Sequence, residues 1–421
     1  MQRLYWIETL GCAKNEVDSD HIAGGLISDG YAAASSIDEA DLVVVNTCAF
    51  IESARTESVE TILELADRRR EGARLVVTGC LAARAGGALA DALPEVDLVA
   101  DVGIPVTITS GPRWRPASDR VPSLDLMRLP RPRPTAPWAY VKIAEGCDRR
   151  CGFCAIPSFR GPQRSRTIDE LLVDVDGLGV HEVVLVSQDL ASFGRDRGEP
   201  GTLHELVERV GARVDWVRLL YLFPTALTDR LIETIVATGV PYFDLSLQHV
   251  SAPHLRRMRR PGSRKQIVDK IARIRALAPE ATLRSSFILG YPGECEEDHD
   301  ELLGFLDEVQ LDWVGLFPFS PEEGTYAADL EAQIPTDLAL ERLRECAEIA
   351  DRTTARRRAA LVGTTARVLV EAPGVARSVR EAPEIDGVIT VPRELAVGGF
   401  AEVEITGSTG PDLEAIPVAV G

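Results

Sequence analysis

The sequence is short of the features that mark most specialised protein classes. Only 8 of its 421 residues are cysteine, too few for the disulfide framework of a secreted scaffold. Clustered thiols are therefore read as metal ligands or reactive groups. No apolar run approaches the roughly 20 residues that span a bilayer. The opening MQRLYWIETLGC lacks the basic n-region and apolar h-region of a signal peptide, so a cytoplasmic protein with no membrane partner is expected. Basic residues are scarce too: 46 Lys plus Arg against 65 Asp plus Glu leave a formal charge of −19. Such a surface repels phosphate backbones unless a local basic face exists, and it favours a basic partner, for which ribosomal proteins are the abundant class. What is present is a globular composition, 45% hydrophobic and 26% charged. At about 150 residues per domain, the length suggests two or three domains.

Residues 1–104 read as strand–helix repeats. Apolar segments at Leu4–Leu10, Leu42–Asn46, Leu75–Thr78 and Val96–Ala100 alternate with helix-like stretches near 18–28, 51–70 and 81–92, the pattern of an open parallel α/β sheet. The first three strands each end at a cysteine: LGC12, NTC48 and TGC80. Ligand sites of open α/β sheets gather outside the carboxyl ends of strands, so convergence of three thiols far apart in sequence is expected, with Cys12, Cys48 and Cys80 as buried packing cysteines the alternative. Residues 105–136, rich in Pro and Arg, read as a linker, with a substrate-facing Arg strip as the alternative.

From 137 to 353 the alternation resumes. Strands are expected at Ala139–Ile143, Glu182–Val186, Trp216–Leu222, Tyr242–Leu247, Arg284–Leu289 and Val314–Phe319. Six βα repeats are too few for a closed eight-fold barrel and fit a partial, open one. A long helix is expected from about 336 to 360. The last domain, 354–421, carries alternating ARVLVE, GVITVP and AEVEIT, as in a small antiparallel β-barrel of the OB type. Residues 361–421 contain four Arg, no Lys and nine acidic residues, which argues against an RNA grip there. The fold class is thus α/β multidomain with a small β-barrel at the end.

The strongest local signal is EGC147DRRC151GFC154, a CxxxCxxC just after a strand. Three thiolates in one loop can ligate three irons of a cubane cluster and leave the fourth open. Structural zinc, redox thiols and chance are the alternatives, although zinc would want a fourth ligand that no neighbouring Cys or His provides.

This motif, at the first strand of a partial βα barrel, resembles the radical S-adenosylmethionine (SAM) superfamily. LGC12AKNEVDSD, NTC48AFIESA, TGC80LAAR and CAIPSFRGPQRSR after Cys154 resemble the methylthiotransferase family within it, over nearly the whole chain. The resemblance implies two [4Fe-4S] clusters, an auxiliary one on Cys12, Cys48 and Cys80 and the radical SAM one on Cys147, Cys151 and Cys154. SAM then serves as methyl donor and as radical source, and the final barrel is of the TRAM type. LGCAKNEVDSD, GVHEVVLVSQDLASFG, LSLQHVSAPHLRRMRRPGS and REAPEIDG at Arg380–Gly387 are similar to the protein-directed, RimO-type subgroup. The implied substrate is an aspartate β-carbon of small-subunit ribosomal protein twelve, free or in the assembled small subunit, with an electron donor of flavodoxin or ferredoxin type. Methylthiolation of a tRNA adenosine is the alternative, disfavoured by the acidic last domain. A non-catalytic iron–sulfur or zinc scaffold on ribosomes is the alternative of another class.

Other residues carry two readings each. Glu182 aligns with the family position that holds the SAM amino group, or forms a surface salt bridge. Phe153 packs on SAM adenine or shields the cluster. Gln188 and Asp189, like Gln248 and His249, end strands on the active face. Arg284 pairs with a carboxylate of SAM or substrate, or with an internal acid. Gly290–Glu294 is an adenosine-facing turn or a plain one. Arg256, Arg257, Arg259 and Arg260 contact phosphate or form a solvated helix face. Cys295 and Cys346 lack cysteine neighbours and are read as structural.

Overall fold

The computed structural model describes residues 2–117 and 125–418, so part of the expected linker, residues 118–124, lies outside the described residues. The chain forms two compact units. One comprises Met1–Arg133, Glu145–Asp148 and Cys154–Arg164; the other comprises Pro134–Ala144, Arg149–Phe153 and Ser165–Gly421.

The first unit is built on a parallel sheet. In chain order it holds β1 (Arg3–Thr9), α1 (Ala13–Ser28), β2 (Tyr31–Ala33), β3 (Leu42–Thr47), α2 (Glu52–Arg68), β4 (Arg74–Gly79), α3 (Cys80–Ala92), β5 (Leu98–Ala100) and β6 (Trp114–Arg115). The strand order is β2-β1-β3-β4-β5-β6. β3, LVVVNT, is buried at every position, as a central parallel strand covered on both faces must be. Its alternation divides the core. Val43 and Val45 pack with Ile62 and Leu65 of α2 and Leu81 and Leu89 of α3, while Leu42 and Val44 pack with Ile22 and Leu26 of α1 on the opposite face. The edge strands β2 and β6, three and two residues long, are too short to show a period in sequence.

The second unit opens with β7 (Trp138–Lys142). The segment that follows carries the two-residue strands β8 (Ala144–Glu145) and β9 (Arg164–Ser165) and the short helix α4 (Ile156–Arg160). Then come α5 (Ile168–Leu178), β10 (Glu182–Val186), α6 (Leu203–Gly211), β11 (Trp216–Leu219), α7 (Asp229–Ala237), β12 (Tyr242–Gln248), α8 (Ala252–Arg257), α9 (Arg264–Leu277), β13 (Thr282–Leu289), α10 (Glu296–Val309) and β14 (Trp313–Pro318). β7, β10 and β11 form one parallel set and β12, β13 and β14 another. A single parallel bridge, Leu222 to Leu245, joins the sets, giving an open arc of six strands around one continuous apolar core. The 24-residue α11 (Thr336–Ala359) leads to β15 (Thr365–Ala372), β16 (Val375–Arg377), β17 (Ile389–Thr390), β18 (Phe400–Thr409) and β19 (Asp412–Pro417). These close into a barrel in the order β15-β16-β17-β19-β18.

The segment Arg380–Gly387 folds against the amino ends of the arc's strands. Tyr140 of β7 donates to the Pro383 carbonyl and to Glu384 (both 3.1 Å), and Tyr242 of β12 donates to Asp386 (2.6 Å). The Trp313 indole N–H at the start of β14 donates to the Arg380 carbonyl (3.0 Å), and Phe400 of β18 stacks edge-on with Trp216 at 4.9 Å. Among the described residues no helix is long and apolar enough to cross a membrane.

Candidate functional site

β1, β3 and β4 are neighbours in the sheet, in a register that sets Thr9 beside Asn46 and Thr47 beside Gly79. Adjacent strands lie about 4.8 Å apart, so the residues just beyond their carboxyl ends meet. Those residues are Cys12 at the N-cap of α1, Cys48 after β3 and Cys80 as the first residue of α3. Burial pushes the Cys48 thiol up to about 11, and Cys80 and Cys12 each push it further in the same direction. Burial also raises Cys80, again with Cys12 close enough to add to the effect.

Two glycines make this approach possible. A Cβ on Gly11 (φ 100°) would lie 2.8 Å from Cys48 Sγ, and one on Gly79 (φ 91°) would lie 2.3 Å from Asn46 Oδ1, so only glycine fits either position. Asn15 ties the strand ends together, its amide donating to the carbonyls of Leu10 (2.7 Å) and Thr47 (3.1 Å). Ser58 exchanges hydrogen bonds with the backbone N–H and C=O of Cys48 (3.1 and 2.9 Å).

Arg160, the last residue of α4, enters the same place with its side chain 3% exposed. Its guanidinium donates to Cys80 Sγ (3.1 Å), Asn15 Oδ1 (3.0 Å), Asp18 (2.9 Å) and Glu145 (3.2 Å). It pulls the Cys80 thiol back down against the effect of burial.

The CxxxCxxC loop is anchored at several points. Cys147 is buried and its N–H donates to the Gly161 carbonyl (3.0 Å). Arg149 pairs with Asp189 (2.6 Å), which also accepts from Ser192 (2.6 Å). The Gly152 N–H donates to the Met258 carbonyl, its own carbonyl accepts from the Ala327 N–H, and Phe153 packs against Met258, Tyr291 and Ala327. Arg260 donates to Cys151 Sγ (3.4 Å) and to the Ser246 carbonyl, and Arg149 and Arg260 both lie over the Phe223 ring at about 4 Å. Each set thus supplies three thiols, and in each a buried arginine donates to one sulfur, Arg160 to Cys80 and Arg260 to Cys151. Such a donor set suits an anionic iron–sulfur cluster.

Several expected roles change in the structure. Glu182 opens β10 at the amino end, while Gln188 follows that strand's carboxyl end. Both Glu182 oxygens are held, by Arg218 and by Arg377 of the terminal barrel (2.8 Å each), with no exposure. Burial opposes its charge, yet the two arginines hold its carboxyl below the usual range; the salt bridge expected at Glu182 is a buried one. Arg284 makes internal ion pairs, with Asp244 (3.3 Å) and Asp386 (3.4 Å). The basic run is divided: Arg256, Arg257 and Arg259 are exposed and Arg260 is buried. Arg257 bonds the Gly293 carbonyl, Arg259 lies over Tyr326, and Arg260 is buried against Cys151. Gly290–Glu294 is a turn closed by its own Glu294, which accepts from the Gly290 N–H (2.8 Å) and pairs with Arg342 (2.9 Å). Cys346 is fully buried, and Cys295 sits at the N-cap of α10 beside Asp298. The sequence assigned no role to Arg160, although it lies in the CAIPSFRGPQRSR segment six residues after Cys154, and none to Asp189.

Residues 4–101 match the profile described as Uncharacterized protein family UPF0004, residues 141–306 the Radical SAM superfamily and residues 362–418 the TRAM domain. "Ribosomal protein uS12 methylthiotransferase RimO" of Moorella thermoacetica is 41% identical over 413 residues, covering 94% of this chain and 95% of the relative. The protein of that name from Synechocystis sp. is 39% identical over 428 residues, with 97% and 96% covered. Among solved structures, the radical SAM methyltransferase TsrM from Kitasatospora setae aligns over 83% of this chain and 89% of its own, at 13% identity and a TM-score of 0.49. The chain is a radical SAM methylthiotransferase whose cofactors are SAM and two [4Fe-4S] clusters, and it belongs to the RimO family.

Proposed function

We propose that this enzyme methylthiolates the β-carbon of an aspartate in ribosomal protein uS12. The observation that carries the reading is the meeting of Cys12, Cys48 and Cys80 at three adjacent strand ends, in a chain 41% identical to a relative named for uS12. Cys12, Cys48 and Cys80 hold the auxiliary cluster, and Cys147, Cys151 and Cys154 hold the radical SAM cluster. The chain divides into an N-terminal domain (1–104), a linker (105–136), a radical SAM domain (137–353) and a TRAM domain (354–421).

The bound cofactors supply the methyl group, the sulfur and the 5′-deoxyadenosyl radical. The protein's share is to hold and shield. Arg149 and Asp189 fix the cysteine loop, Phe153 extends the apolar cluster beside it and keeps water away, and Gln188, beyond the carboxyl end of β10, faces SAM. The formal charge of −19 favours encounter with a basic substrate, and an electron donor of flavodoxin or ferredoxin type completes the system in the cytoplasm.

The test is anaerobic reconstitution with iron and sulfide, followed by incubation with SAM, reductant and either purified uS12 or small subunits. Fragment mass spectra are expected to show one methylthio group on a single aspartate. Transfer to a tRNA adenosine in a parallel reaction, with uS12 unmodified, would refute the substrate.

A further inference from the structure

We propose that Arg160 is a positioning residue for the auxiliary cluster: it clamps the Cys80 sulfur and sets both the loading and the reduction potential of the metal group held there. The inference rests on the assignment of that cluster to Cys12, Cys48 and Cys80.

Arg160 has one sulfur, one amide oxygen and two carboxylates as partners. Nη2 reaches Cys80 Sγ (3.1 Å) and Asn15 Oδ1 (3.0 Å), while Nη1 reaches Asp18 (2.9 Å) and Glu145 (3.2 Å). Two acids already balance one guanidinium, so the contact to sulfur is not needed for charge pairing. The burial is also costly, because Arg160 Nε has no hydrogen-bond partner and a buried orphan donor of a charged group is expensive. Through Asn15 the clamp extends to all three ligands, since the amide of that residue holds the Leu10 and Thr47 carbonyls next to Cys12 and Cys48.

The chemistry follows from the groups. Guanidinium does not lose its proton in proteins, so Arg160 is a permanent cation, itself buried. An N–H donated to sulfur strengthens when the sulfur carries charge, which favours the ligating thiolate over the free thiol. Hydrogen bonds to cluster sulfurs and nearby charge are main determinants of cluster potential. A cation stabilises the reduced, more negative cluster and raises the potential; Asp18 and Glu145 act in the opposite direction.

The test uses the full chain with Cys147, Cys151 and Cys154 changed to Ala, so that only the auxiliary site takes iron. Arg160→Gln, Arg160→Lys and Asp18→Asn are compared in that background by iron and sulfide content and by redox titration followed by electron paramagnetic resonance. Arg160→Gln is expected to lower the iron content and move the midpoint to more negative potential. Arg160→Lys should restore most of the midpoint, and Asp18→Asn, which keeps an acceptor for Arg160, should move it the other way. Equal loading and unchanged midpoints in Arg160→Gln and Asp18→Asn would overturn the proposal. If Arg160→Gln fails to fold, the Asp18→Asn midpoint decides alone, and an unshifted value overturns the proposal. A parent that takes up no iron would refute the cluster assignment itself, and the proposal would fall with it.

Discussion

At the scale of single residues, the buried charges hold two kinds of group apart. Glu182, Arg218 and Arg377 form one solvent-inaccessible set, in which Glu371 supplies the second negative charge through Arg377. Removing one partner of such a set leaves uncompensated charge in a low-dielectric interior, at a cost of about 3–5 kcal/mol. Glu182→Ala is therefore expected to lower the urea midpoint strongly, while a folded Glu182→Gln retains SAM binding in equilibrium dialysis. His254 belongs to a different cluster, facing His249, Glu294, Asp298, Arg257 and Arg342. Burial lowers its pKa from 6.5 to about 4, so the folded state resists a proton that the unfolded chain accepts. Its contribution to stability is present above pH 6.5 and is lost as pH falls toward 4, amounting to about 3 kcal/mol. Unfolding measured from pH 7.5 to 4.5 should show a shallower loss in His254→Gln than in the unsubstituted protein. The cysteines were legible because metal chemistry restricts residue type and spacing. The partners of Glu182, Arg284 and Arg160 were not, because an ion pair between residues as distant as 182 and 377 leaves no periodic trace in sequence.

At the scale of elements, strand and helix positions were largely readable. β10 runs over Glu182–Val186 and α9 over Arg264–Leu277, each a clear apolar run or a 3.6-residue period. At α8 (Ala252–Arg257) the arginines at 256–260 allowed a solvated helix face but hid its buried residues, His254 and Leu255. The segment Arg380–Gly387 drew attention as a mark of the protein-directed subgroup. In the fold it is a clasp, with Glu381 buried against Arg358 and Asp386 against Tyr242. Burial raises the Asp386 carboxyl to about 6, so the clasp tolerates a neutral acid there. Replacing residues 380–387 by a Gly/Ser stretch of equal length should lower the melting temperature by several degrees and open a tryptic site at the end of α11, where Arg356, Arg357 and Arg358 lie and Arg358 loses Glu381. Intact mass after limited trypsinolysis would check it.

At the scale of the whole molecule, the repeated βα pattern was enough to anticipate an open sheet, a six-strand arc and a closing β-barrel, because each has its own hydrophobic period. The assignment of residues 154–164 to the first compact unit was invisible, since boundaries drawn along a chain follow sequence order and not contact. The formal charge of −19 bears on kinetics. If the substrate is basic, association is steered and falls with ionic strength. The KM for uS12 is thus expected to rise several-fold between 50 and 300 mM salt, roughly the range over which the Debye length drops below 10 Å, while the KM for SAM changes little. Equal salt responses of the two substrates would argue against electrostatic steering.

The hydrogen bonds of Arg160 to Asn15, Asp18 and Cys80 also limit how the gene can be recombined. A chimera that takes residues 1–104 from a distant relative inherits new neighbours for an arginine it did not bring along. Such hybrids will be viable only when both parents encode the same four-residue agreement, so the two halves of this enzyme are inherited as a pair.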